Sequence, residues 1–231
     1  MSIVLHELVG ADETRPFSPH CWKAVMALAH KGLPVERKAV CFTRVPEVEG
    51  GVSKIVPVIR DGSQVIADSF MIAAYLEQAY PDKPSLFGGD GGLAMARFVE
   101  SWTNSVLHGA MRDIALMDIH NALAPADQHY FRTSREARMG VTLEKVAEGR
   151  EAALKALPAT LMPLRLTLKS QPWIGGSSPL FADYIVFGAF QWVRVTAAGV
   201  TLFEAGDPVA DWFERCLDLH DGLGRSVPAA G

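Results

Sequence analysis

The chain has 231 residues, of which 49% are hydrophobic and 21% charged, and its formal net charge is −4. This composition indicates a soluble globular protein with a sizeable core, and it offers no basic surface for nucleic acid. The three cysteines form no close pair and the histidines show no metal-ligand spacing, so we expect neither a disulfide framework nor a metal site. The N-terminal segment has no basic region before its apolar part, so we expect a cytoplasmic protein without a secretion signal.

The first predicted elements are a strand at residues 3–8 and a helix that begins at Ser18-Pro19. Serine at the cap and proline at the first helical position are a strong helix-start signal. Ser18-Pro19-His20-Cys21 has the layout of a Cys-Pro-x-Cys redox motif with serine as its first residue. A serine hydroxyl cannot form a disulfide, but it can donate a hydrogen bond to a ligand's sulfur near the positive end of the helix dipole. The alternative is that Ser18 is only a helix cap.

Cys21 takes the place of the second cysteine of such a motif. Since it has no partner at position 18, we expect it to pack inward as a small hydrophobic residue. The alternative is a thiol activated by the nearby helix N-terminus, which would let the protein reduce mixed disulfides.

The remaining pattern of the first 80 residues predicts a thioredoxin-like domain. Strands are expected at residues 35–40, 55–59 and 64–67. Asp61-Gly62 between the last two is a hairpin signal, and a helix capped by Ser69 follows them. The order βαβ and then ββα within a small domain is the layout of the thioredoxin fold.

Two features of this domain bear on the function of Ser18. Pro57 stands at the predicted start of a strand, and a cis bond after Val56 would turn unpaired backbone groups toward the first helix. Asp68-Ser69 supplies a carboxylate and a hydroxyl at another helix N-terminus. These groups favour a ligand site over a simple helix cap at Ser18.

A linker and a helical domain are predicted for the rest of the chain. Residues 81–92 contain six Pro or Gly, which separates an N-terminal domain at 1–80 from a C-terminal domain at 93–231. Helices are expected at residues 93–121, 134–169, 180–198 and 208–220. The second domain should therefore be all-helical.

One nearly uncharged run, at residues 184–203, is as long as a membrane span. Arg194 near its middle would cost about 2.5 to 3.5 kcal/mol on insertion scales. We therefore expect a buried core helix and no membrane segment.

Taken together, these segments resemble the N-terminal domain of glutathione transferases. The motifs that carry the resemblance are Ser-Pro-x-x-Trp-Lys, then Val-Pro-Val-Ile followed by Asp-Gly and Ala-Asp-Ser, and finally Tyr-Leu-Glu-x-x-Tyr-Pro. Their order and spacing are specific in combination. The run from Asp68 through Tyr80-Pro81 to Trp102 is most similar to the branch that contains bacterial β-etherases and related fungal enzymes.

The resemblance implies a serine-type enzyme with glutathione as co-substrate. Ser18 would hydrogen-bond the glutathione sulfur, and Val56 would pair its backbone with the cysteinyl part. Pro57 would be the cis-proline, and Asp68 with Ser69 would hold the γ-glutamyl end. The resemblance also implies a homodimer, formed through the second domain and the helix after Ser69.

The chain departs from the family pattern at two places. The segment at 42–53 lacks the Asn-Pro that many members carry, so the contacts to the glycine end of glutathione are not assigned. The family usually has Ser or Thr three residues before an aspartate of the second domain, whereas Leu180 precedes Asp183 here. We expect this helix to be capped differently, from Ser178-Pro179.

The implied reaction is attack of the glutathione thiolate on an apolar, aromatic electrophile bound between the domains. Trp102, Met111 and Ile114 are candidates for lining that pocket, or else they are core. Cleavage of aryl ethers is the more specific hypothesis, and it needs a hydrogen-bond donor for the departing oxygen that the sequence does not identify. The alternative is a non-catalytic relative that serves as a regulatory or stress-related interaction module.

Overall fold

The structure, a computed structural model, describes residues 2–231 and confirms a thioredoxin-like domain followed by a helical domain. The N-terminal elements are β1 (Ile3–Leu8), α1 (Pro19–His30), β2 (Val35–Val40), a 3₁₀ segment (Phe42–Gly50), β3 (Val58–Asp61), β4 (Gln64–Ala67) and α2 (Ser69–Ala79). The C-terminal elements are α3 (Asp90–Trp102), a π-helical turn (Thr103–Leu107), α4 (His108–Asn121), α5 (Pro125–Met139), α6 (Leu143–Ala147), α7 (Arg150–Thr160), α8 (Met162–Ser170), α9 (Phe181–Thr196) and α10 (Pro208–Gly222).

The four strands form one mixed sheet in the order β2-β1-β3-β4. β2 runs parallel to β1 because α1 connects them as a crossover, whereas β3 is antiparallel to both β1 and β4. The predicted hairpin joins β3 to β4, and Gly62 adopts the positive φ of 57° that this turn requires. β1 lies inside the sheet, and Leu5 at its centre is fully buried.

The start of α1 is held in place by α9 of the second domain. The Trp22 ring packs edge-on against Phe187, with the ring centroids 5.8 Å apart. Gly188 permits the close approach of the two helices, since a Cβ there would clash with the carbonyl oxygen of Pro19. The N-terminal end of α1, which begins directly after Ser18, is therefore positioned by a contact between the domains.

The structure corrects two predicted boundaries near the second helix. Asp68, not Ser69, is the cap of α2, because its Oδ1 accepts hydrogen bonds from the backbone N–H groups of Phe70 at 2.9 Å and Met71 at 3.0 Å. β3 begins at Val58 and excludes residues 55–57. Proline has no N–H to donate to a neighbouring strand.

The structure differs from the helices predicted for the second domain at three places. Asp90-Gly91-Gly92, expected in the linker, form the first turn of α3. The single helix expected at 93–121 is α3 and α4 joined by the π-helical turn. The helix expected at 134–169 is instead the four helices α5 to α8. Of these, α5 begins nine residues earlier, at Pro125, and ends at Met139, where Gly140 caps it with a φ of 73°.

α9 begins at Phe181 and is capped through Asp183, not from Ser178. The fully buried Asp183 carboxylate accepts four hydrogen bonds, from the backbone N–H groups of Ile174 (2.8 Å), Gly175 (2.9 Å) and Leu180 (3.0 Å) and from the indole of Trp212 (2.8 Å). The reciprocal half of a capping box is missing because leucine has no side-chain acceptor.

The nearly uncharged run is the core helix that the sequence predicts. Fourteen of the sixteen residues of α9 are buried. The guanidinium of Arg194 donates a hydrogen bond to the carbonyl oxygen of Val227 at 2.8 Å, so its charge has a polar partner. Within residues 2–231, none of the helices combines the length and the apolar character that crossing a bilayer requires.

Candidate functional site

A cavity of about 640 Å³ lies where the sheet, α1 and α2 meet the helices of the second domain. All the residues predicted to hold the ligand line this cavity, namely Ser18, Val56, Pro57, Asp68 and Ser69. The structure therefore brings together side chains from the starts of two helices and from the loop before β3.

Ser18 caps α1 and is buried at one end of the cavity. Its Oγ accepts a hydrogen bond from the backbone N–H of Cys21 at 3.3 Å. A hydroxyl can accept and donate at the same time, so the Ser18 proton remains available to a ligand. The site also has the positive end of the helix dipole.

Cys21 is a structural residue and not a second thiol of the site. It is 1% exposed, and its Sγ accepts from the backbone N–H of Leu8 at 3.4 Å. Burial raises the pKa of this thiol to about 12, so it is uncharged at neutral pH. The expectation that Cys21 packs inward is confirmed.

The Val56–Pro57 peptide bond is cis, as the resemblance implies. The Pro57 carbonyl oxygen accepts from the backbone N–H of Asp68 at 3.2 Å. This hydrogen bond joins the loop before β3 to the start of α2, so that the two segments lie side by side in the cavity wall.

Asp68 and Ser69 present unused hydrogen-bonding capacity to the cavity. Asp68 has a positive φ of 74°, and its Oδ1 is occupied by the cap of α2. Its other oxygen, Oδ2, makes no hydrogen bond within residues 2–231. The Ser69 hydroxyl is buried and has no partner among those residues. Buried polar groups in native proteins are nearly always paired, so a ligand group or water belongs here.

The opposite wall of the cavity consists of residues that the sequence did not identify. A stripe along the π-helical turn and α4 faces the cavity, and it comprises Asn104, Ser105, His108, Gly109, Arg112, Leu116 and Ile119. The expected residues Trp102, Met111 and Ile114 are not part of the lining, and the latter two are fully buried in the core. A π-helical turn inserts an extra residue, which changes the face that a periodic pattern predicts downstream.

An aromatic cluster closes the same wall. Asp127 of α5 accepts hydrogen bonds from the backbone N–H groups of Phe42 at 2.7 Å and Thr43 at 2.9 Å, and so holds the 3₁₀ segment against α5. The Phe42 ring then lies 6.1 Å from that of Tyr130 and 5.7 Å from that of Phe131. This cluster suits a flat, apolar ligand.

Two histidines beside Ser18 are kept uncharged. His20 and His108 meet edge to face, with ring centroids 5.1 Å apart. Burial lowers the pKa of His108 to about 3 and that of His20 well below 6.5, and the nearby Lys23 ammonium acts in the same direction. Both are therefore neutral imidazoles at pH 7.

Two family models match the chain, and together they cover most of it. The model for the glutathione S-transferase N-terminal domain matches residues 14–84, and that for the C-terminal domain matches residues 94–218. Among curated proteins, the glutathione S-transferase-like protein ustS of Aspergillus flavus is 23% identical over 209 residues, which is 78% of this chain and 75% of that protein.

Solved structures of fungal glutathione transferases share the whole fold. GSTFuA3 from Phanerochaete chrysosporium has 25% identity and a TM-score of 0.79 over 100% of this chain and 99% of that one. CsGST63524 of Ceriporiopsis subvermispora, solved in complex with glutathione, has 24% identity and a TM-score of 0.82, again over 100% of this chain and 99% of that one. Because the C-terminal family model alone spans more than half of the 231 residues, the chain belongs to the glutathione S-transferase family.

Proposed function

We propose that this protein is a serine-type glutathione transferase in which Ser18 stabilises the glutathione thiolate. The observation that carries the proposal is the Ser18 hydroxyl, which accepts from the Cys21 N–H and keeps its own proton for a sulfur in the cavity. The chain's own nearby thiol is buried and uncharged, so the sulfur has to come from the ligand.

The energies involved are sufficient for this role. A free thiol with a pKa of about 8.5 is only a few per cent thiolate at pH 7. Lowering that pKa by one unit requires about 1.4 kcal/mol of preferential stabilisation of the thiolate. The end of α1 supplies about 0.3 to 2 kcal/mol, and a hydroxyl hydrogen bond to the charged sulfur adds roughly 1.5 to 3 kcal/mol. Together they lower the thiol pKa by about one to three units.

The unused polar groups fit the rest of glutathione. The free Oδ2 of Asp68 suits the γ-glutamyl ammonium, and the unpartnered Ser69 hydroxyl suits the neighbouring carboxylate. Val56, which precedes the cis-proline, would pair its backbone with the cysteinyl part. The sulfur would then lie at Ser18.

The first experiment is calorimetric titration with glutathione of the wild type and of Asp68→Ala. We expect saturable binding by the wild type and a loss of affinity of roughly tenfold or more in the variant, because a charge-assisted hydrogen bond is removed. Asp90→Ala is the matched control, since Asp90 is exposed in the first turn of α3. Absence of binding by the wild type would favour a non-catalytic interaction module.

For the electrophile, we propose an aromatic substrate of the aryl ether type. The wall formed by Phe42, Tyr130 and Phe131 suits an aromatic ring. The thiolate would attack the carbon next to a ketone, so that a C–S bond forms, the C–O bond breaks, and the aryl oxide leaves with the electron pair. Release of phenol from phenacyl aryl ethers tests this, and turnover of other electrophiles only would contradict it.

We also propose that the protein is a homodimer that associates through α2 and α3. These helices are adjacent, because the Arg97 guanidinium lies 3.6 Å from the centre of the Phe70 ring. Beside this contact, Met71 is 53% exposed, Met95 50% and Phe98 70%. Exposed apolar side chains on neighbouring helices are typical of a protein interface.

A further inference from the structure

His20 has a defined tautomer because of a buried ion pair. Lys23 is fully buried, and its ammonium contacts the Glu100 carboxylate of α3 at 2.8 Å and the Nδ1 atom of His20 at 3.2 Å. An ammonium can only donate, so Nδ1 must accept. A neutral imidazole then carries its proton on Nε2.

The Nε2–H of His20 is available to a ligand. The ring is partly buried, lines the cavity two residues after Ser18, and is held from the side by the His108 ring. Nε2 makes no hydrogen bond to any residue in the part of the chain that the structure describes. A fixed hydrogen-bond donor that points into a substrate cavity is suited to stabilising negative charge that develops there.

We propose that His20 Nε2–H is the hydrogen-bond donor to the electrophile's oxygen on which negative charge develops. The inference rests on the proposed glutathione transferase reaction. In ether cleavage the negative charge of the thiolate passes to the departing aryl oxide. His20 keeps its proton and hydrogen-bonds that oxide, which takes a proton from water after release.

The test uses phenacyl aryl ethers whose phenols differ in acidity. We expect His20→Phe to lower kcat by about 10- to 100-fold for the least acidic phenol, which is the worth of one hydrogen bond to a charged group, and by less for the most acidic one. His20→Gln should recover much of the rate because its amide N–H replaces the donor. An equal loss for all phenols would overturn the proposal, since only a general structural effect would produce it.

Two further readouts distinguish the possible failures. Glutathione affinity and the pKa of the bound thiol, followed by thiolate absorbance, should be the same in His20→Phe and the wild type. A rise in that pKa like the one expected for Ser18→Ala would place the donor on the sulfur and overturn the proposal. A nitrogen NMR spectrum showing Nδ1 protonated would overturn it independently of activity, whereas a wild type that does not bind glutathione would overturn the proposed function itself.

The cavity also contains cationic side chains that lack a carboxylate partner from residue 2 onward. Arg135 of α5 is half-buried, and its guanidinium lies over the rings of Phe42 at 5.1 Å and Phe131 at 4.6 Å. Among residues 2–231, no carboxylate lies within 4.0 Å of Arg135 or of Arg138, one turn further on. Arg132 on the same helix, in contrast, pairs with carboxylates of two other residues.

The charge of the cavity lining is unbalanced. Lys54, Arg112, Arg135 and Arg138 face it, whereas Asp68 is its single carboxylate within the described residues. A partly buried guanidinium without a counter-ion is costly, and a ligand carboxylate relieves that cost. Lys54, close to Val56 in the chain, is suited to binding the glycine carboxylate of glutathione. Arg135 and Arg138 of α5 would then be available to bind the second substrate.

We infer that Arg135, with Arg138, binds a carboxylate carried by the aromatic electrophile, which again rests on the proposed function. Chloronitrobenzoate and chloronitrobenzamide form a matched pair of charged and uncharged probes. Arg135→Met should lower kcat/KM for the benzoate about tenfold or more and change that for the amide little, since a charge-assisted hydrogen bond is lost.

Arg132→Met is the control for general loss of positive charge from α5. An equal effect of this control on the benzoate would overturn the inference. A raised KM for glutathione with both probes would also overturn it, because the arginine would then bind the glycine carboxylate. Failure of the wild type to conjugate either probe or any other electrophile would instead count against the proposed transferase function.

Discussion

The hydroxyl of Ser18 has an observed structural role and a proposed functional one. As the cap of α1 it accepts a hydrogen bond from the Cys21 N–H, and in the proposed function it would donate one to the glutathione sulfur. Both can operate together because the accepted and donated bonds use different parts of the hydroxyl. Ser18 can therefore cap α1 and donate to a ligand sulfur at the same time.

Replacing Ser18 by alanine should therefore impair turnover in a pH-dependent way. Without the donor, the pKa of bound glutathione rises by roughly one to two units, so the thiolate fraction falls most at neutral pH. We expect a larger loss of kcat at about pH 7 than at about pH 9, where even a raised pKa leaves much of the thiol ionised. A pH–rate profile of both proteins measures this, and the same fractional loss at both pH values would contradict it.

At the scale of elements, α9 connects the two domains and organises the site. Its N-terminus is anchored by Asp183, its middle packs against α1 through Gly188, and Trp192 on its later turns reaches the cavity. A change at its buried anchor therefore affects the whole helix.

Asp183→Ala should lower the free energy of unfolding by about 3 to 5 kcal/mol. The substitution leaves buried donors without an acceptor, each of which costs about 1 to 3 kcal/mol, and the helix loses part of its cap. Urea denaturation followed by circular dichroism measures the change. Asp90→Ala, at an exposed first-turn position of α3, should cost less than about 1 kcal/mol. A similarly small loss for Asp183→Ala would show that water replaces the carboxylate.

At the scale of the whole molecule, the exposed apolar side chains of α2 and α3 lie outside the cavity. They belong to helices of both domains, so association through this face would also fix the domains relative to each other. The start of α2 carries Asp68 and Ser69, so the proposed dimer face and the proposed glutathione site share this helix.

Phe98→Glu should convert the proposed dimer to a monomer, because a buried carboxylate without a partner is costly at an interface. Sedimentation velocity or light scattering at several protein concentrations measures the mass. Leu166→Glu is the matched control, since Leu166 is 61% exposed on α8, away from α2 and α3. A wild-type monomer, or an intact Phe98→Glu dimer, would contradict the proposal for this face.

The thioredoxin-like domain and the helical character of the second domain could be predicted from the sequence alone, and the five residues predicted to bind glutathione lie around one cavity. These depend on signals within a few neighbouring residues, such as Ser18-Pro19 at a helix start and Asp61-Gly62 in a hairpin. The same local signals missed the start of α5 at Pro125 and its end at Met139, because the helical pattern expected at 134–169 continues across the Gly140 cap.

The residues of the second wall of the cavity could not be predicted, because long-range packing selects them. The π-helical turn alters the face that α4 presents, and Asp127 draws Phe42 to α5 across 85 positions of the chain. The tautomer of His20 likewise depends on Lys23 and on Glu100, 77 positions further on. Such contacts arise from packing between distant segments, and no periodic pattern within one segment encodes which partner a side chain will meet.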